Sequence, residues 1–349
     1  MTPEEEKLLD ELPDELIAEM CDNPPIKCPA SFTWDGDEAK AREVLLSIGV
    51  QALLLRRVHP WLNFDSLESV VFHDDYLQAL SDVSKLANRV HTPTVENTGA
   101  GVAMVVHLQE KCIAVFDASL AHGVLEKDFS VKDMCVDLIL HELCHAHDFS
   151  RKKTLLKDEF LSRKLLGVQR YTFNAADAAW CEYFANKYST TARSSADMHP
   201  KLLADVVPDV FSSLRSAVIA YRLHANLDAL LEICEAKIRF LFQCFGYAAG
   251  RLVANGEELR NVAPQSHAEI EKAGLVSIWD SVLNELIRLD ECQESWASFD
   301  ELDALMANVS AVYRKAGLHL RDEADGSVYV GVPFIEAATP WANIFTKIE

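Results

Sequence analysis

Apolar positions recur every three to four residues through most of the chain, the spacing of one helix face. Segment 37–57, DEAKAREVLLSIGVQALLLRR, carries this period and ends in two arginines, as a helix dipole favours. A second predicted helix covers 75–88. Short β-prone runs lie around it: Ser69–Phe72, then Val102–Leu108 and Cys112–Phe116, the latter two separated by Gln109-Glu110-Lys111 as a hairpin. From there the pattern is almost wholly helical, over Ser130–Phe149, Thr154–Leu166, Phe173–Tyr188, Pro200–Gln243, Gln265–Leu289 and Phe299–Ala316, with Pro208 and Gly246 as interruptions. Ser327–Val332 closes the pattern as a strand. The expected class is α+β, mostly α, with a small antiparallel sheet before one central helix and a large helical C-terminal half. Acidic pieces punctuated by Pro13, Pro24, Pro25 and Pro29 mark 1–36 as an N-terminal arm. Residues 37–195 form the expected core, and TTARSSADMHP breaks the period near 195, setting off a mainly helical domain over 196–349.

Composition narrows the function classes. With 349 residues, 49% of them hydrophobic, the chain can bury one large or two modest cores. Asp and Glu outnumber Lys and Arg by 54 to 33, a formal charge of −21 that repels phosphate backbones and anionic lipid. Neither nucleic acid nor membrane is therefore an expected partner. The nine cysteines form no C-x-x-C pair and sit largely in apolar stretches, as core thiols of a reducing compartment would. The N-terminus is acidic where a signal peptide would be basic and then apolar, so the expected location is the cytoplasm.

The chemistry concentrates in Ser130–Phe149, which contains His141-Glu142-Leu143-Cys144-His145, an H-E-x-x-H pattern. Residues four apart stand one above the other on a helix, so both imidazoles can reach one ion. Glu142 is then placed as general base toward a water that the metal acidifies. Ser130, with Asp133 three residues later, reads as the N-cap. Met134, Leu138, His141 and His145 share a stripe, and Leu140, Leu143 and Cys144 make the helix apolar nearly all round. A metzincin would carry Gly and His where this chain has Asp148 and Arg151, so that class is excluded.

A catalytic zinc needs a third protein ligand. The next strongly helical segment, FNAADAAWCEYFANKY, offers Asp177 and Glu182. Glu182 sits among Trp180, Cys181, Tyr183 and Phe184, a poor setting for a solvated acid, whereas Asp177 is shorter and flanked by alanines. Glu182 is preferred; pairing with Lys187 is its competing role. Asn186, one turn on, is placed to accept from a metal histidine. His199, Tyr221 and His224 are downstream residues of a type that could stabilise an oxyanion.

H-E-x-x-H followed by Glu on a second helix resembles the gluzincin metallopeptidases. Glu182-Tyr183-Phe184-Ala185-Asn186-Lys187-Tyr188 is similar to the E-x-x-A-N-x-F pattern of the ImmA/IrrE-type branch, over roughly Val102 to Ser189. The resemblance implies a zincin-like core in which His141, His145 and Glu182 bind Zn2+ and Glu142 is the base. It also implies a cytoplasmic protease; members of that branch often cleave a repressor protein. The expected function is zinc-dependent peptide-bond hydrolysis on a protein or peptide substrate. The alternatives are a catalytically silent metal-binding or interaction module and a zinc hydrolase of small amides.

Overall fold

The computed structural model describes residues 24–33, 38–88, 91, 95–96, 99–190 and 198–333. The chain is α+β and mostly helical, and it divides into two compact units. One comprises Met1–Arg151 with Tyr188–Ser195, the other Lys152–Lys187 with Ala196–Glu349. Most of the expected N-terminal arm, residues 1–23, lies outside the described residues, as does 191–197, where the boundary near 195 is expected.

The first unit is built on a four-stranded sheet. Its strands are β1 (Ala30–Phe32), β2 (Leu67–His73), β5 (Ala103–His107) and β6 (Cys112–Asp117), in the order β1-β2-β6-β5. Two short strands, β3 (Val95–Glu96) and β4 (Gly99–Ala100), pair separately. The sheet is mixed, not antiparallel as expected: β1, β2 and β6 run parallel, and only the β5–β6 hairpin is antiparallel. The difference arises because β2 returns to β6 through a helix, α2 (Tyr76–Leu86), a crossover that leaves neighbouring strands parallel. β1 falls within the segment read as an arm. Its Phe32 stacks on Phe72, which stacks on Phe116, at 4.9 and 5.0 Å, an aromatic ladder across three strands in register.

Strand alternation sends Val106, Ile113 and Val115 to the other face, where Tyr76, Ala79, Leu80 and Val83 of α2 cover them. The Phe72 face meets α1 (Glu38–Val58) and α4 (Phe129–Ser162) around an apolar cavity of about 330 Å³; Ile48, Val70, Phe72, Ile139 and Leu143 are among its walls. Helix α3 (Ala118–Val124) joins β6 to α4 and is capped by Asp117, whose Oδ1 accepts from Ser119 N–H at 2.9 Å. The cap of α4 is Asp128, two residues before the expected Ser130: its Oδ1 accepts from the Ser130 amide and hydroxyl at 2.9 and 2.7 Å. Helix α4 also takes in most of the segment predicted as a separate helix from Thr154, with the break in helical geometry at Lys157, φ 44°.

The second unit is a helical bundle: α5 (Gln169–Ser189), α6 (Met198–His224), α7 (Leu227–Asn255), α8 (Leu259–Val262), α9 (Pro264–Lys272), α10 (Val276–Glu291) and α11 (Asp303–Lys315). A hairpin of β7 (His319–Asp322) and β8 (Val328–Gly331) completes it. The predicted helix Pro200–Gln243 is two helices. Its break lies not at Pro208, which stays inside α6, but at Ala225, φ 53°, followed by Asn226, whose Oδ1 caps Ala229 N–H at 3.1 Å. Gln265–Leu289 likewise divides at Gly274, φ 65°. Gly246 does not interrupt α7. It and Gly250 are one turn apart, and a Cβ at either would stand 2.3 Å from the Ala179 carbonyl oxygen or 2.4 Å from that of Tyr183. The two glycines let α7 lie against the α5 backbone across the turn that carries Glu182. Among the described residues no helix is long and apolar enough to cross a membrane.

Candidate metal centre

Helix α4 is seated by its apolar side, with Ile139, Leu140, Leu143, Cys144 and Ala146 all essentially inaccessible. The loop after α1 holds it from another side: Ser66 Oγ donates to the Ala146 carbonyl at 2.8 Å, and Asn63 N–H donates to His147 Nδ1 at 3.1 Å. Burial pushes the His147 pKa down. Asp148 and Arg151, the residues that depart from the metzincin pattern, form a buried ion pair with each other at 2.6 Å. Burial, with Asp148 adding to it, pushes the Cys144 thiol up, so the cysteine between the two histidines remains a protonated core residue. Met134, placed on the buried stripe by its spacing, is 47% exposed. It lies near the start of the helix, ahead of the turns that the core encloses.

On the remaining face His141 and His145 point their Nε2 atoms at each other, 3.0 Å apart, with rings nearly perpendicular. Two nitrogens at about 2.0–2.1 Å from a tetrahedral zinc stand about 3.3 Å apart, so a small rotamer adjustment accommodates the ion. The same separation also suits an N–H···N bond between neutral imidazoles. Glu182 brings a third potential ligand to the pair. Ligand atoms of His141, His145 and Glu182 all lie within 4.8 Å of one another, and the group is largely buried. Two imidazole nitrogens and one carboxylate oxygen converging in low dielectric match the donor set of a divalent cation, and the carboxylate lowers the cost of burying it. These three residues could therefore hold a metal ion.

Asp177 is engaged elsewhere. Its Oδ1 lies 2.8 Å from Nζ of Lys152, a lysine whose side chain is only 4% exposed, and the same Nζ reaches Cys181 Sγ at 3.1 Å. Lys187 joins Asp290, and a different partner faces Glu182. Its Oε1 accepts from Gln243 Nε2 at 2.8 Å, and that nitrogen also donates to the Tyr247 hydroxyl at 2.9 Å. Asn186 Nδ2 donates to the Glu182 carbonyl at 3.1 Å, a contact inside its own helix. Of the downstream candidates, His199 stacks on Tyr247 at 5.0 Å, Tyr221 is half-buried in α6, and His224 is exposed at the end of that helix.

Sequence reasoning missed Gln243 and Tyr76. A polar residue in the run Phe240-Leu241-Phe242-Gln243-Cys244-Phe245 was the available signal for Gln243, since a buried amide requires a partner. Tyr76 is 7% exposed, and its hydroxyl meets no hydrogen-bond partner among the described residues. Burial, then the Glu142 and Asp117 carboxylates, push its pKa up, so the phenol keeps its proton and can donate. Nothing in the local sequence distinguishes it from an ordinary apolar helix position. No family model matches the chain, and neither a curated protein nor a solved structure matches it.

Proposed function

We propose that this chain is a zinc-dependent peptidase with a zincin-like core, in which His141, His145 and Glu182 hold the metal and Glu142 is the general base. The observation that carries the reading is the convergence of the Glu182 carboxylate with two histidines that share one helix face and flank Glu142. A zinc ion held there would acidify water and polarise an amide carbonyl. Glu142, 9% exposed and next in sequence to His141, takes the proton of the attacking water and passes it to the leaving nitrogen. Among the described residues strand β5 ends the sheet and hydrogen-bonds through one edge to β6, so its other edge can receive an extended peptide by strand addition. The substrate is accordingly a protein or peptide segment able to become extended.

The test measures hydrolysis of a panel of unfolded and folded proteins, with and without chelator, alongside the variant Glu142→Gln. Gln keeps the shape and loses the basicity, so the variant should retain zinc and lose at least ~10²-fold in rate. Full activity in Glu142→Gln would remove the assigned base. Stoichiometric zinc without hydrolysis of any protein or peptide would favour a silent metal-binding module.

A further inference from the structure

The second unit supplies Glu182 with a support that the metal reading alone does not require. Helix α7 lies against α5 through Gly246 and Gly250, whose missing side chains admit the Ala179 and Tyr183 carbonyls. That close approach sets Gln243, less than one turn before Gly246, beside Glu182. The contact has a defined polarity. A carboxylate only accepts hydrogen bonds, so the amide must present its nitrogen to Glu182 Oε1, here at 2.8 Å. The second amide hydrogen goes to the Tyr247 oxygen at 2.9 Å, and turning the amide over would lose the bond to Glu182 and set oxygen against oxygen there. Tyr247 is itself placed by its stack on His199, 5.0 Å between centroids and 19° between planes.

The support is also neutral. A lysine or arginine at 243 would compete with a cation for the Glu182 charge, as Lys152 does for Asp177. An amide fixes the carboxylate and brings no charge of its own to compete with an ion. Apolar side chains at 242, 244 and 245, all fully buried, keep water from replacing the amide.

We infer that Gln243 is a positioning residue for Glu182: its amide, anchored on the Tyr247 hydroxyl, holds the carboxylate in the single orientation in which it can join His141 and His145 on a metal. The inference rests on the metal reading above, and its test separates the two. Zinc affinity of the full chain is measured by competition with a chromophoric chelator for the wild type, Gln243→Met, Tyr247→Phe, Glu182→Ala and the double variant Gln243→Met/Glu182→Ala. Supporting residues of metal ligands typically contribute ~10–100-fold in affinity. Gln243→Met should therefore weaken zinc by about that factor, and Tyr247→Phe, which keeps the ring and its stack, by roughly 3–10-fold, at unchanged stoichiometry.

In the Glu182→Ala background Gln243→Met should change affinity by less than about twofold, because a residue acting only through Glu182 has nothing left to position. Equal losses in both backgrounds would show general damage to the helix packing and overturn the inference. So would wild-type affinity in Gln243→Met. Should Gln243→Met fail to fold, Tyr247→Phe carries the test, and wild-type affinity there overturns the anchoring of the amide. A wild-type chain that binds no zinc removes the metal reading, and the inference with it. Zinc binding that is lost in Glu182→Ala but indifferent to Gln243 and Tyr247 removes the inference alone.

Discussion

Two turns of α5 hold a carboxylate each, and they have opposite fates. Asp177 meets the ammonium of Lys152 at 2.8 Å, and Glu182 meets the amide of Gln243 at the same distance. The first pair is electrically closed: Lys152 is buried, its charge needs a counter-ion, and Asp177 provides one. The second contact is a hydrogen bond from a neutral amide, which orients the carboxylate and adds no charge of its own. Burial alone would not separate the two acids as sharply as the charge of their partners does. What distinguishes the candidate metal ligand is thus a neutral side chain that fixes it without competing for a cation.

The sharpest way to break this contrast is to exchange the roles. Glu182→Ala removes one of three protein ligands and should weaken zinc by ~10²–10³-fold, about 3–4 kcal/mol, given apparent site energies of ~10–16 kcal/mol over four ligands. Asp177→Ala should leave zinc affinity within about twofold of wild type. It should instead destabilise the fold by about 2–3 kcal/mol, at the low end for a broken buried pair because Asp177 is a third exposed. Chelator competition and urea denaturation of the same two preparations check both halves. A zinc loss in Asp177→Ala with none in Glu182→Ala would move the site to an Asp-ligated arrangement.

The helix packing beside Glu182 gives a smaller effect. Gly250→Ala would place a methyl 2.4 Å from the Tyr183 carbonyl oxygen, a clash with backbone that only a helix shift can relieve. It should cost ~1–3 kcal/mol of stability and loosen zinc through displacement of Gln243. Thermal unfolding at wild-type Tm would contradict the close approach. The smallest effect belongs to Tyr76→Phe. Removing a buried hydroxyl without a partner should be neutral or stabilising by up to about 1 kcal/mol. A loss of hydrolytic rate in that variant, at unchanged stability and zinc content, would assign the phenol to the reaction.

The group His141, His145 and Glu182 was legible as a candidate metal site because each residue broke a local rule that the sequence displays. His141 and His145 repeat at helical spacing in an apolar helix, and Glu182 is an acid among Trp, Tyr and Phe. Gln243 broke the same rule, but Gly246 beside it read as a helix stop when it is a point of close backbone approach. The sheet was only half legible. The apolar, β-prone runs Val102–Leu108 and Cys112–Phe116 on either side of Gln109-Glu110-Lys111 show the hairpin, whereas the parallel neighbours β1 and β2 are paired through contacts far apart in sequence, which no local period encodes. The end of α6 was hidden for a different reason: Ala225 adopts a left-handed conformation that neither Gly nor Pro announces, and Pro208 sits exposed inside the helix it was expected to interrupt.

Occupancy by zinc is the property on which the proposed function depends most directly. Protein purified without chelator at pH 7.5 should show close to one zinc per chain by elemental analysis. A folded chain with no bound transition metal, and none taken up from micromolar zinc, would contradict it.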